Sequence, residues 1–122
     1  MNRKIEARLF EIAKTIEPVG QARVVACLFK RNKILAIGTN SRRTSILARR
    51  YSKNNLSLCD DAEVNCINRY LEKYNKDKIH ECSMMIVRAK FVDGKWERGK
   101  CKPCSGCKSC ISYFGIKEVY YT

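Results

Sequence analysis

Four cysteines recur at every third position of the segment CKPCSGCKSC, which spans residues 101–110. Thiolates bind zinc and iron–sulfur clusters, and closely spaced cysteine pairs also carry redox chemistry. The spacing therefore predicts either a metal site or a redox motif. The cysteines of this run are Cys101, Cys104, Cys107 and Cys110.

Three kinds of metal site come into consideration for such a run. An iron–sulfur cluster is commonly held by Cys-x-x-Cys-x-x-Cys and a remote fourth cysteine, and residues 101–107 match that spacing without the Cys-Pro that completes the ferredoxin pattern. Four cysteines can also close a structural zinc site. A zinc finger with two cysteines and two histidines is excluded, because His80 is the only histidine of the chain.

Pro103 narrows the choice, because proline is favoured at the first position of a helix. Cys104 and Cys107 would then lie in a first helical turn, where free backbone N–H groups and the helix dipole favour thiolates. Cys101 would precede this helix, and Cys110 would lie about two turns into it. In that geometry the four sulfurs do not easily converge on one metal ion, whereas two of them can.

A second predicted helix start, DDAEV at residues 60–64, carries three carboxylates. Asp60 followed three residues later by Glu63 resembles a capping box, which is a purely structural role. Capping by Asp60 leaves the side chain of Asp61 uncommitted and Glu63 only weakly committed. This helix start therefore offers carboxylates for metal binding or for proton transfer.

The hydrophobic pattern predicts seven elements that position these two helix starts, in the order α-β-β-α-β-α-β. Helices separated by strands imply a mixed sheet covered by helices, which places both helix starts on one face with their N-termini adjacent. Residues 39–58 form a long polar and basic connection, a kind of loop that is often functional. The predicted elements are a helix with Ile5, Leu9, Ile12 and Ile16 on one side, strands at 22–29 and 34–38, a helix at 61–76, a strand at 82–92, a helix at about 104–114 and a strand at 118–122.

The combination of Asp-Ala-Glu with a later Pro-Cys-x-x-Cys resembles the zinc-dependent cytidine and deoxycytidylate deaminase superfamily. Its signature is a ligand, one residue, a glutamate and a later Pro-Cys-x-x-Cys. The resemblance extends to the element order, to Gly38-Thr39-Asn40 and to the ending GIKEVYYT, which is similar to the fourth strand of small phage and large-virus members. It implies a single deaminase-like domain over residues 1–122, with a three-layer α/β/α fold and a mixed sheet of four strands.

The resemblance also implies roles for individual residues. Glu63 is expected to be the catalytic proton shuttle, taking a proton from the attacking water and delivering it to the ring nitrogen and then to the leaving ammonia. The implied cofactor is Zn²⁺. The implied zinc ligands are Asp61, Cys104 and Cys107, and the implied substrate-binding residues are Asn40, Ala62 and Pro103.

Asp61 departs from the family pattern, in which the corresponding ligand is histidine or cysteine. A carboxylate binds zinc, and with two thiolates it gives a net negative set of ligands, as three cysteines do. Three interpretations stay open: a working variant ligand, a weakened site that keeps only the fold, or a replacement of Asp61 by Cys59 or Cys66 as ligand.

The net charge of +13, from 25 Lys and Arg against 12 Asp and Glu, favours polyanionic partners, although a solvated lysine-rich surface would look the same. We expect a cytosine nucleoside or nucleotide as substrate, with the deoxycytidylate type favoured, or single-stranded nucleic acid. The alternative is a catalytically weakened deaminase fold that binds nucleic acid and keeps zinc for structure.

The chain shows no secretory h-region and no apolar segment of membrane-spanning length. We therefore expect a cytoplasmic protein without a membrane partner, whose eight cysteines are metal ligands and buried thiols rather than disulfides. Many family members continue with a fifth strand and another helix. A sheet that stops at residue 122 would leave an open edge, which a second subunit of a homo-oligomer could cover.

Overall fold

The computed structural model describes residues 2–16, 23–40, 62–101 and 105–122. Within these ranges the elements follow the predicted order, with one additional strand and one short 3₁₀ helix. None of the helices in these ranges is long and apolar enough to cross a membrane. The elements are α1 (Arg3–Thr15), β1 (Arg23–Lys30), β2 (Lys33–Thr39), α2 (Ala62–Lys73), a 3₁₀ helix (Lys76–Glu81), β3 (Ser83–Val92), β4 (Lys95–Gly99), α3 (Ser105–Phe114) and β5 (Glu118–Tyr121).

Strand β3 organises the sheet, because it pairs on both of its sides. One side pairs antiparallel with β1, and β1 in turn pairs antiparallel with β2. On the other side, residues 83–86 pair with β5 in parallel, and residues 88–92 pair with β4 in antiparallel fashion. The described sheet is therefore mixed, as predicted.

Two hydrophobic cores lie on opposite faces of this sheet, because successive side chains of a strand point in opposite directions. Val25, Cys27, Met85 and Val87 pack against α1 on one face. The other face packs against α2 and α3 and contains Ala26, Leu28, Met84 and Ile86. The predicted three-layer α/β/α arrangement is thus confirmed.

The predicted strand count of four is wrong, because the described sheet has five strands. The residues Asp93 and Gly94 have φ values of 53° and 77°, which are typical of a tight type I′ hairpin. The strand after this turn, β4, has the sequence KWERG, and three of its five side chains are exposed. Without an apolar alternation, its sequence gives no strand signal.

Candidate active site

The first turn of α2 lies directly against the end of β2, and Gly38 makes this contact possible. A Cβ atom at Gly38 would lie 2.2 Å from the backbone nitrogen of Cys66 and 2.5 Å from the carbonyl oxygen of Ala62. The Asn65 side chain adds a hydrogen bond from Nδ2 to the carbonyl oxygen of Thr39, at 2.8 Å. The backbone at the start of α2 is therefore held at a fixed place on the sheet.

Glu63, in the first turn of α2, is the one charged side chain that is buried among the described residues, at 6% exposed. Burial of a carboxylate is costly, and such groups concentrate at functional sites. Its negative charge acts on nearby thiols: burial and then the Glu63 carboxylate raise the pKa of Cys110 to about 11. The same carboxylate also contributes to the raised pKa values of Cys66 and Cys101, which are caused mainly by burial. Glu63 thus lies within electrostatic reach of all three thiols.

Helix α3 carries Cys107 in its first turn, as predicted, and this residue is 1% exposed. Cys110 is fully buried in the core shared by α2 and α3, which confirms its expected packing role. The start of α3 thus brings a buried thiol to the core that also contains residues of α2, the helix whose first turn holds Glu63.

Cys101 lies just before α3, beside the carboxyl end of the sheet, and is only partly buried. Its Sγ is 3.3 Å from the carbonyl oxygen of Ile86 and 3.3 Å from Oγ1 of Thr122. The backbone N–H of Cys101 donates to the carbonyl oxygen of Thr122 at 3.1 Å. These contacts connect the segment before α3 to β3 and to the end of β5.

The described cysteines outside α3 and its preceding segment are Cys27, Cys66 and Cys82, and all three are buried. All six cysteines within the described ranges carry free thiols. The Cys66 thiol faces the sheet, with Sγ 3.6 Å from the carbonyl oxygen of Ala36, and burial raises its pKa. A thiol in this position is a poor replacement for Asp61, since zinc binds the thiolate form.

Asn40 has a structural role at the end of β2. Its Oδ1 accepts a hydrogen bond from the backbone N–H of Val24 at 3.0 Å, and its own N–H donates to the Val24 carbonyl at 3.1 Å. These two bonds extend the β1–β2 ladder by one residue. Asn40 is therefore placed at the site edge of the sheet, and its contact with substrate stays a prediction.

Several predicted site residues lie outside the described ranges. Within those ranges, no group of three or more His, Cys, Asp or Glu side chains is arranged to hold a metal ion. The fit of zinc can still be tested on donor chemistry, and a buried thiol in a first helical turn, as Cys107 presents, is a suitable donor. The residues outside the description are Asp61, Pro103 and Cys104, the alternative ligand Cys59, and Arg42, Arg43, Arg49 and Arg50 of the basic loop.

One polar residue near this site, Arg88, carries no motif and was not predicted from the sequence. It interrupts the apolar strand β3 on the face that packs against α2 and α3. Its Nε is buried, and no hydrogen-bond partner for it is found among the described residues. The only signal in the sequence is an arginine within an otherwise apolar stretch.

Comparisons with known proteins agree with this arrangement. Residues 2–122 match the model of the cytidine and deoxycytidylate deaminase zinc-binding region. A search of the curated proteins finds no match to the sequence.

Solved structures also share the fold. The dCMP deaminase from the cyanophage S-TIM5 in apo form superposes with a TM-score of 0.63 at 19% identity, covering 99% of this chain and 84% of that one. The same enzyme in complex with dCMP and dUMP gives a TM-score of 0.58 at 19% identity, covering 99% of this chain and 82% of that one. Guanine deaminase from Bacillus subtilis gives a TM-score of 0.57 at 20% identity, and the alignment covers 100% of this chain and 64% of that one.

Proposed function

The chain belongs to the cytidine and deoxycytidylate deaminase family, and from this premise we propose that it hydrolyses a cytosine base to uracil with release of ammonia. The observation that carries the proposal is the buried carboxylate of Glu63 in the first turn of α2, whose charge acts on Cys110, one turn beyond the buried thiol of Cys107 in α3. A buried acid beside a soft metal donor is the pair of groups that hydrolytic deamination needs.

In the proposed reaction, Glu63 moves protons at both stages. It accepts a proton from the attacking water and delivers it to the ring nitrogen. It then takes the remaining proton from the hydroxyl now bound to the ring carbon and delivers it to the amino group, which leaves as ammonia while the carbonyl of uracil forms. The docking of α2 against Gly38 keeps this carboxylate in place, because the helix start cannot shift toward the sheet. A general acid and base in a fixed position contributes roughly 10²- to 10⁴-fold to the rate.

Zinc in this site would be held by Asp61, Cys104 and Cys107, the set that the family pattern assigns. The chemistry that zinc supplies when bound is Lewis-acid activation of water for attack on the ring carbon. Of this set, Cys107 is the described member, and its burial in a first helical turn supports the assignment.

For the substrate, we favour deoxycytidylate over nucleosides and single-stranded nucleic acid. The cyanophage enzyme of the same fold has been solved in complex with dCMP and dUMP. The excess of cations in the chain is compatible with any phosphorylated substrate, so the choice has to be tested directly.

The direct test is incubation of the purified protein with deoxycytidine, dCMP, cytidine and a cytosine-containing single-stranded oligonucleotide. Deamination increases the mass by about one dalton, because a carbonyl oxygen replaces an amino group. We expect conversion of dCMP and about one zinc ion per chain, as the family site requires.

The variant Glu63→Gln keeps the size of the side chain and should lower turnover by at least roughly 100-fold while zinc and fold are retained. Glu72→Gln is the matched control, since it makes the same change at an exposed position of the same helix. Full activity of Glu63→Gln would show that the proton shuttle is assigned to the wrong residue.

A second candidate function is nucleic-acid binding by a catalytically weakened site, which the charge of +13 favours. Most cations stay unneutralised within the described part of the chain, where four ion pairs are found. They are Lys14–Glu11, Lys30–Glu81, Lys90–Glu97 and Arg98–Glu6. This function predicts oligonucleotide affinity that falls steeply with salt and no product. Ammonia release from any cytosine substrate would exclude it.

A further inference from the structure

Arg88 occupies an unusual place in the sheet, because it continues a line of core residues. Met84 and Ile86 precede it on the same face of β3, and both are fully buried against α2 and α3. Its neighbours across the sheet are Val24 on β1 and Gly99 on β4. The arginine therefore lies in the interior of the sheet, at the end of the hydrophobic core on this face.

The start of α2 packs on the same face of the sheet, over the end of β2. The first turn of this helix contacts Gly38, which pairs with Ala26, and Ala26 pairs in turn with Ile86. Arg88 is two residues further along β3 than Ile86, which is about 7 Å along a strand. It thus lies one step beyond the part of the sheet that the helix start covers.

Two further contacts connect Arg88 to Asn40 and to Cys101. Val24, its partner on β1, exchanges both hydrogen bonds with Asn40 at the end of β2. Burial raises the pKa of the Cys101 thiol and hydrogen bonds with Thr122 lower it, and by smaller amounts the Glu63 carboxylate raises this pKa and a hydrogen bond with the backbone of Arg88 lowers it. Asn40, Arg88 and Cys101 are therefore linked across neighbouring strands, and Cys101 lies within electrostatic reach of Glu63.

The guanidinium group is only partly satisfied by the protein. Its stem passes over Gly99, where a Cβ atom would lie 2.9 Å from Cδ of Arg88, and Nη1 donates to the carbonyl oxygen of Lys100 at 3.5 Å. In the described ranges, Nε has no acceptor although it is buried, and no carboxylate forms an ion pair with Arg88. A buried donor without an acceptor is costly, and Nε belongs to the fork that contacts two oxygens of an oxyanion at once.

We propose that Arg88 is a specificity residue that binds the 5′-phosphate of a nucleoside monophosphate, so that the enzyme prefers nucleotides to nucleosides. The inference rests on the proposed deaminase function and deepens it. Arginine keeps its charge at all physiological pH values and matches the geometry of phosphate oxygens. The Arg88 side chain as a whole is only half-buried, so a phosphate can approach its terminal nitrogens, whereas a nucleoside without phosphate offers them no anionic acceptor.

The test compares wild type with Arg88→Gln in steady-state assays on dCMP and on deoxycytidine. For dCMP we expect kcat/KM to fall roughly 10- to 100-fold, mainly through KM, which is the range for a lost charge-assisted hydrogen bond. For deoxycytidine we expect no change beyond about twofold, since the group in question makes no contact with it.

Arg23→Gln is the matched control, because it removes the same charge from the neighbouring strand on the opposite face. Arg23 also has a buried Nε without a partner among the described residues, and its guanidinium lies 5.0 Å from the Trp96 ring centre. This variant should leave the ratio of dCMP to deoxycytidine activity unchanged. Arg88→Lys keeps the charge without the forked guanidinium, so its KM for dCMP should lie between those of the wild type and Arg88→Gln. It replaces Arg88→Gln in the comparison if that variant does not fold.

Three outcomes would overturn the proposal. An equal loss on dCMP and deoxycytidine would mean that Arg88 positions another part of the protein. No loss on either would mean that it contacts no substrate. A loss confined to an oligonucleotide without terminal phosphates would assign Arg88 to a phosphodiester.

Calorimetry separates this proposal from the proposed activity. If the wild type deaminates nothing, the proposed function fails, but dCMP binding to wild type and to Arg88→Gln can still be compared. A roughly 10- to 100-fold weaker dCMP affinity of the variant would support the phosphate contact even then. Equal affinities would contradict it.

Discussion

The cysteines of residues 101–110 have different environments at the scale of single residues. Cys107 is buried in the first turn of α3, and Cys110 is buried one turn later within Coulombic range of Glu63. Cys101 instead contacts Ile86 and Thr122. A uniform spacing in the sequence therefore corresponds to at least two roles, a candidate ligand and packing thiols.

Substitution of individual cysteines should separate these roles. We expect Cys107→Ser to lose most of its zinc, because it removes a proposed ligand. Cys110→Ala should keep zinc and lose about 1 kcal/mol of unfolding free energy, because it removes a buried sulfur from the core. Zinc content after dialysis and urea unfolding of both variants are the measurements. Zinc loss in Cys110→Ala alone would exchange the two assignments.

The buried thiols also predict how stability depends on pH. Burial raises the pKa of Cys27 from 9.0 to about 12, and burial with the charge of Glu63 raises that of Cys110 to about 11. Above pH 9 the unfolded chain releases these thiol protons while the folded chain retains them. The thiol contribution to stability is therefore fully present below pH 9 and is lost as the pH rises toward 12, by at most about 1.4 kcal/mol per thiol and pH unit.

Urea midpoints at pH 8, 9 and 10 measure this dependence. Cys27→Ala is the informative comparison, because Cys27 lies in the core on the α1 face, away from the proposed site. This variant should be less stable at pH 8 and show a shallower decline above pH 9. An unchanged slope would mean that other groups cause the alkaline loss.

At the scale of elements, the contact between β2 and α2 decides where Glu63 lies. Gly38→Ala would place a methyl group against backbone atoms of Cys66 and Ala62, so the helix would have to move. We expect a loss of about 3 kcal/mol, at the upper end for overpacking, and lower activity per folded molecule. Urea unfolding and kcat on the folded fraction measure the two effects.

Gly94→Ala is the control for this substitution. Gly94 has a φ of 77° and nothing within 4 Å of an added Cβ, so only backbone strain of about 1 kcal/mol is expected. Its activity per folded molecule should equal that of the wild type. A similar loss of activity in both variants would mean that stability, not the position of α2, controls turnover.

The sequence predicts most elements because their signals are local. The helical stripe of α2 and the Pro-Cys-x-x-Cys start of α3 locate both helices to within a few residues. Strand β4 has no such signal, since its side chains are mostly exposed. Arg88 has none either, because its place on the face that packs against α2 and α3 depends on strand register and on the missing side chain of Gly99.

At the scale of the whole molecule, β3 connects the most parts of the structure. It pairs with β1 on one side and with β5 and β4 on the other, and it is covered by α1 on one face and by α2 and α3 on the other. Its amides can exchange with solvent only when the sheet opens. We expect residues 84–87 to show the slowest hydrogen exchange, near the free energy of global unfolding.

Hydrogen exchange followed by mass spectrometry or NMR measures this ranking. The four-residue strand β5, which pairs with β3 alone among the described strands, should exchange faster than the β3 residues opposite it. Slower hydrogen exchange in β1 than in β3 would mean that the most stable unit of the sheet is centred on β1.

The close contact at Gly38 also has a consequence for how this sequence can change over generations. Every replacement of glycine by another amino acid adds at least a Cβ atom, and here that atom meets backbone rather than a movable side chain. No amino acid has a side chain smaller than the methyl group of alanine except glycine itself. A lineage that keeps Glu63 where it is therefore inherits Gly38 with it, while Leu35 and Ile37 on the same strand remain open to exchange among apolar residues.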